Sequence, residues 1–107
     1  MMTPETWRDL QGKLIRDRDH HDWAIGYPGP DDSGAERHIG RVAAYDALVT
    51  DMDLIALTRP PGDCWAELRD ILAVNRAQVG HYPNDGEMIG RAEAYDEVLA
   101  YMAEGSA

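Results

Sequence analysis

The chain contains no phenylalanine, a single cysteine and a single lysine, and each scarcity narrows what it can be. Cys64 alone cannot build an internal disulfide framework; it suits a reducing compartment and reads as a small buried apolar residue. With Lys13 the only lysine, arginine supplies the other basic side chains. Ten basic residues face 20 acidic ones, for a formal net charge of −10. A field of that sign repels a phosphate backbone, so direct nucleic-acid binding is excluded as a first reading. No apolar run approaches the ~20 residues that a membrane span needs. The opening MMTPETWRDL has neither a basic n-region nor an apolar h-region, so the expected location is the cytoplasm. No alternating stretch rich in β-branched residues appears, which argues against a sheet. Nucleophile-elbow, phosphate-loop, H-E-x-x-H and cysteine–histidine signatures are missing too, so no familiar catalytic or metal motif is present.

What the sequence does contain is a repeat. HIGRVAAYDALV begins at His38 and MIGRAEAYDEVL at Met88. The correspondence extends beyond this phrase: Trp7, Leu10 and Leu14 are spaced as Trp65, Leu68 and Leu72 are, and Tyr27-Pro28 recurs as Tyr82-Pro83. Asp32, Gly34 and Glu36 find counterparts in Asp85, Gly86 and Glu87, with slightly different spacing. A length of 107 residues with 44% apolar content makes one ordinary domain, residues 1–107, built of one unit over 1–57 and a second over 58–107.

Each unit reads as helix, turn, helix. Thr3 is placed to cap a first helix with Pro4 at its first position, where a missing N–H costs nothing. Apolar Trp7, Leu10, Leu14 and Ile15 follow with helical spacing, and GYPGP at 26–30 ends the helix. Ser33 with Glu36 and Asn84 with Glu87 form capping-box patterns at the start of both second helices. The first of these runs to about Leu57, ahead of Pro60-Pro61-Gly62; Asp63 or a neighbour caps a third helix that ends near Gly80. A lone helical hairpin has an apolar face with nothing to cover it. Two hairpins cover each other, so the expected architecture is an all-α four-helix bundle of two tandem hairpins with an internal pseudo-twofold axis. Gly40 and Gly90 each weaken a helix by ~1 kcal/mol relative to Ala, and their recurrence points to close helix packing at both places.

Three sets of residues carry candidate chemistry. Arg41 and Tyr45 lie one turn apart on one helix face, as do Arg91 and Tyr95. Paired in this way they suit an enclosed site for a small anion, with arginine gripping oxygens and tyrosine stacking. The acidic helix faces carrying Asp46, Asp51, Asp53, Glu93, Asp96 and Glu97 suit either plain solvation or a protein partner. A third pattern is E-x-x-D, found at Glu67 with Asp70 and at Glu93 with Asp96, where four carboxylates on two helices could hold Mg²⁺. Asp19-His20-His21-Asp22 is a histidine cluster, but adjacent helical residues diverge by about 100 degrees and do not readily share a metal. His38 and His81 lie too far away in sequence to be assigned as its partners.

The E-x-x-D pair, with EAYDEVLAYM, resembles the all-α nucleoside triphosphate pyrophosphohydrolases, which would imply Mg²⁺ and an enzyme. The match departs at Asp70, where that family has Glu, and at Ala43, which has no acid. The repeat unit as a whole, W-x-x-L-x-x-x-L to I-G-R-x-x-A-Y-D, resembles a helical hairpin of small uncharacterised proteins of actinobacteria and their phages. That second resemblance implies a protein that acts by binding, without cofactor or catalysis. It would inhibit a host or defence protein, or sequester a small anionic, nucleotide-like signal. A structural or assembly role, with oligomerisation, stands as the third expectation.

Overall fold

The computed structural model describes residues 4–25, 33–82 and 84–105. Those residues form four helices, α1 (Pro4–Ile25), α2 (Ser33–Thr58), α3 (Cys64–Val79) and α4 (Gly86–Gly105), with one 3-10 turn at Pro61–Asp63 and no strand. The expected Thr3 cap, the Ser33 side chain and the GYPGP loop lie outside the described residues. Pro4 is the first residue of α1, the position its missing N–H suits. α2 closes at Thr58, one residue past the expected Leu57, and α3 ends with Gly80 as its C-cap.

One cap differs from expectation. The N-terminus of α4 is capped by Asp85, whose Oδ1 accepts the Met88 N–H at 3.2 Å. The helix starts one residue later than an Asn84 cap requires, which puts Asp85 three residues before the amide it caps. Asp63 occupies the N-cap position of α3 but makes no side-chain capping bond, because the preceding 3-10 turn already leads the chain into the helix.

The apolar stripes pack as their spacing requires. Leu10, Leu14, Tyr45, Leu48, Met52, Leu68, Leu72, Val98 and Met102 are almost wholly removed from solvent. Trp7 is buried and Trp65 partly so, and their rings meet edge to face with centroids 5.1 Å apart. The two tryptophans therefore pack on each other as well as on the core.

α2 and α4 form the most extensive helix pair; α1 lies chiefly on α2 and α3 chiefly on α4. α1 runs antiparallel to α2, since Gln11 bonds Asp53, Arg18 bonds Asp46 and His21 meets His38. α2 and α4 advance side by side, Arg41 reaching Glu93 and Tyr45 reaching Glu97 one turn later.

The recurrent glycines explain how α2 and α4 come so close. A Cβ on Gly40 would stand 1.9 Å from the Glu87 carbonyl oxygen, and one on Gly90 would stand 2.1 Å from the Arg37 carbonyl oxygen. Any side chain at either place would strike the backbone of the other helix. The contacts are reciprocal, since Gly40 corresponds to Gly90 in the repeat and Arg37 to Glu87.

Candidate functional site

On the first unit, the Arg-Tyr pair is closed by carboxylates from α4. Arg41 and Tyr45 lie one turn apart on α2, and Glu93 and Glu97 one turn apart on α4, so two successive turns interlock. Arg41 donates from Nη2 to Glu93 at 2.8 Å, and from Nη1 to Glu97 at 3.1 Å and to the Tyr45 hydroxyl at 3.0 Å. The Tyr45 hydroxyl in turn donates to Glu97 at 3.2 Å. Arg37 adds a bond to Glu93 at 2.7 Å, and Lys13 of α1 adds one to Glu97 at 2.7 Å while also pairing with Asp17.

This network shifts the acidities of its members. Burial raises the Tyr45 phenol, the Glu97 charge adds to the rise, and despite the opposing Arg41 the phenol is pushed up to about 12. Burial disfavours the Glu93 charge, but hydrogen bonds from Arg41 and Arg37 outweigh it and hold the carboxyl below its usual range. Glu97 is held low against its own burial by Lys13, Arg41 and Tyr45. For Arg41 burial again works against the charge, and Glu93, Tyr45 and Glu97 more than restore it. Three cations share two carboxylates here, so Arg41 has its anions already.

The face of Tyr45 is also covered. His21 of α1 stacks on it, with ring centroids 6.0 Å apart and planes 27° from parallel. His21 and His38 share a hydrogen bond between their Nδ1 atoms at 2.6 Å. Burial lowers the basicity of His21, and the nearby Arg41, His38 and His20 lower it further against Asp17. Distance in sequence hid this pair. It becomes visible only when α1 is laid antiparallel on α2.

The second Arg-Tyr pair has different surroundings. Among the described residues Arg91 touches one carboxylate, Glu87 on the preceding turn of its own helix, at 3.2 Å. Its Nε is buried and has no hydrogen-bond partner among the described residues. Arg91 and Tyr95 line a cleft of about 420 Å³ between α3 and α4, together with Asn75, Val79 and Met88. Gln78, His81 and Tyr82 complete its wall.

The repeat accounts for the contrast position by position. Ala43 and Ala47 stand where the second unit has Glu93 and Glu97, so α2 offers Arg91 no acid. Val79 stands for His21, and Met88 for His38, so no ring covers Tyr95 from those two places. Asn75 replaces Asp17, and Ile71 replaces Lys13. The two pairs that the sequence suggested as one shared site thus occupy separate environments: Arg41 is closed in by carboxylates of the facing helix, whereas Arg91 lines a cleft, with Tyr95 buried beneath it.

The candidate acidic face is largely engaged within the chain. Asp46 pairs with Arg18 at 3.0 Å, Asp96 with Arg76 at 2.8 Å, and Asp53 accepts a bond from Gln11 at 2.6 Å. Glu93 and Glu97 belong to the Arg41 network, while burial raises the Asp51 carboxyl. In the E-x-x-D pattern, Glu67 lies 3.8 Å from Arg59, Asp70 is exposed, and Glu93 and Asp96 are held by arginines. Among the described residues no group of three or more His, Cys, Asp or Glu is arranged to hold a metal ion. The Cys64 thiol is buried and faces the Pro60 carbonyl at 3.5 Å, the small-residue role expected of it. No described helix is long and apolar enough to cross a membrane.

A second depression, of about 400 Å³, is lined by Glu36, Asp85 and Glu87 with Ile39, Asn84 and Gly86, and its charge is opposite to that of the Arg91 cleft. No family model, curated protein or solved structure matches the chain.

Proposed function

We propose that the protein is a non-catalytic binding protein whose second unit holds a small anionic ligand against Arg91. The observation that carries this reading is Arg91 at the wall of a 420 Å³ cleft, meeting one carboxylate among the described residues where Arg41 meets two. The Arg91 side chain is 30% exposed, so an anion seated in the cleft can accept charge-assisted hydrogen bonds from its guanidinium. The cleft volume lies within the ~300–1,000 Å³ usual for small-molecule sites. Arg41 serves instead as an internal strut, since its anions are supplied by α4.

In this reading the chain sequesters a small anionic signal in the cytoplasm, the phage-type role that its repeat unit suggests. The acidic exterior then keeps the surface soluble and gives a positive protein partner only a minor foothold, because most of the named acids are already paired. We also read the two hairpins as halves related by an internal twofold. Support comes from the reciprocal contacts of Gly40 and Gly90 and from the mutual packing of Trp7 and Trp65.

Thermal denaturation with and without AMP tests the proposal. A ligand at a hundred times its dissociation constant adds ~2.7 kcal/mol to the native state and raises the melting temperature accordingly. Arg91→Met should abolish that rise. Arg41→Met should lower the starting melting temperature yet keep the rise. A response that survives Arg91→Met, or one lost on changing Asp46, Asp51 and Asp96 to Asn, would move binding to the acidic face and overturn the reading.

A further inference from the structure

The two hairpins close the same place with different chemistry. Where α1 lies along the first turns of α2, His21 and His38 face each other with their Nδ1 atoms 2.6 Å apart. The repeat carries those positions onto Val79 and Met88, apolar residues that pack with the core. The neighbouring ion pair is the same in both units, Arg18 bonding Asp46 at 3.0 Å and Arg76 bonding Asp96 at 2.8 Å. A titratable contact in one hairpin thus stands where the other has an apolar one.

That contact lies on the part of α1 that is least buried. Trp7, Leu10 and Leu14 are in the core, but none of residues 15–25 is buried. The corresponding stretch of α3 has Val79 buried. Contacts of residues 15–25 with α2 include Arg18 on Asp46, His21 on His38 and the His21 ring stacked on Tyr45. A segment with few buried apolar groups opens before the rest of a fold does.

We propose that residues 15–25 of α1 are an acid-released latch on α2. His21 and His38 hold it shut while a single proton lies between their Nδ1 atoms, and it parts when both rings are fully protonated. The proton count sets the switch. Neutral, or with one proton added, the pair keeps one Nδ1–H facing one lone pair. A second added proton sets N–H against N–H at 2.6 Å, with a positive charge on each ring, and the bond is lost.

The surroundings oppose that last proton while the latch is shut. Burial makes His21 less basic than its usual 6.5; Arg41 and His38 of α2 and His20 of α1 add to this, and Asp17 of α1 offsets them only in part. From α4, Glu93 and Glu97 reach Arg41, and the Tyr45 phenol, pushed up to about 12, stays neutral throughout. Once released, His21 regains its ordinary basicity, so the open form binds more protons than the shut one. Release therefore grows as the pH falls below 6.5, while Leu10 and Leu14 keep the rest of α1 docked. It lifts the imidazole cover from Tyr45.

Hydrogen exchange of the full chain, read by mass spectrometry from about pH 7.5 to about pH 5 and corrected for the intrinsic pH dependence of exchange, tests the latch. A freed helix end this short does not hold its helix alone, so the amides of residues 15–25 should lose protection at least about tenfold, the effect of one proton over one pH unit. The matching amides of α3, through Val79, should keep theirs. His21→Val with His38→Met installs the second unit's pair and should abolish the acid loss; if that variant does not fold, His21→Gln should do the same. His20→Gln should leave the loss in place. Equal loss of protection in α1 and α3 would mean unfolding of the whole chain and overturn the latch. So would an acid loss that persists in the folded His21 variants, or undiminished protection of residues 15–25 in the unaltered chain at pH 5.

Discussion

Replacing Gly40 with alanine is a large perturbation made with a single methyl group. The new Cβ would lie 1.9 Å from the Glu87 carbonyl oxygen, 2.8 Å from its carbon and 3.0 Å from the Arg91 nitrogen. All three atoms are backbone, so no rotamer change relieves the clash. Relief requires α2 and α4 to separate by about 1 Å, loosening the packing of Ala44 and Ala94 and stretching the Arg41 bonds to Glu93 and Glu97. Overpacking of this kind costs ~1–3 kcal/mol, and an obstruction made of backbone belongs at or above the top of that range. Against it, alanine gains ~1 kcal/mol of helix propensity over glycine. The net expectation is a loss of about 2 kcal/mol. For a chain of this size that is a fall in melting temperature of roughly 8–16 °C.

Gly12→Ala makes the same chemical change with the opposite sign. Its Cβ would meet only the Arg16 guanidinium at 3.5 Å, an ordinary contact, so the propensity gain of up to ~1 kcal/mol should appear undiminished. Urea denaturation followed by circular dichroism should therefore separate the two variants by about 3 kcal/mol. Gly90→Ala should resemble Gly40→Ala. The double variant should lose less than the sum, because the first substitution has already parted the helices. If Gly40→Ala proves as stable as Gly12→Ala, the close crossing of α2 and α4 is wrong, and with it the register that pairs Arg41 with Glu93.

Acidification should weaken the fold in two stages. His21 is less basic in the folded chain than its usual 6.5, so the unfolded chain binds more protons near that pH and stability falls as pH drops through this range. Glu93 and Glu97 are held below the usual 4.5, so a second loss follows below that value. Urea midpoints measured at pH steps should show both, and His21→Gln should flatten only the first. At the alkaline end, Tyr45 titrates near 12 when folded against 10 when free, so stability should fall above pH 10, a loss that Tyr45→Phe removes. Trp7→Ala should cost ~3–5 kcal/mol as a buried aromatic, and the partly buried Trp65 less; equal losses would place both rings equally deep. Asp85→Ala should cost ~1 kcal/mol through the lost α4 cap, whereas Asn84→Ala should change stability by only a few tenths.

The helices, their approximate ends and the buried stripe could all be read along the chain, because each depends on neighbours within a turn or two. Leu10, Leu14, Leu68 and Leu72 bury at the spacing that makes them one face, and Gly80 stops α3 where it was expected to. The Asn84 assignment missed by one residue, since a cap is decided by which amide the side chain reaches, and Asp and Asn at adjacent positions look alike in sequence. Gly40 and Gly90 announced a close approach without naming the partner. The tertiary structure supplied it, and with it the register of α2 against α4, which no local preference sets. That register brings Glu93 and Glu97 to Arg41 while Ala43 and Ala47 leave Arg91 without such partners. It follows that two Arg-Tyr pairs of the same spacing differ in chemistry. An arginine and a tyrosine one turn apart are placed by the helix that bears them, but whether they are satisfied depends on the facing helices. The same holds for His21 and His38, whose contact exists only because α1 folds back along α2.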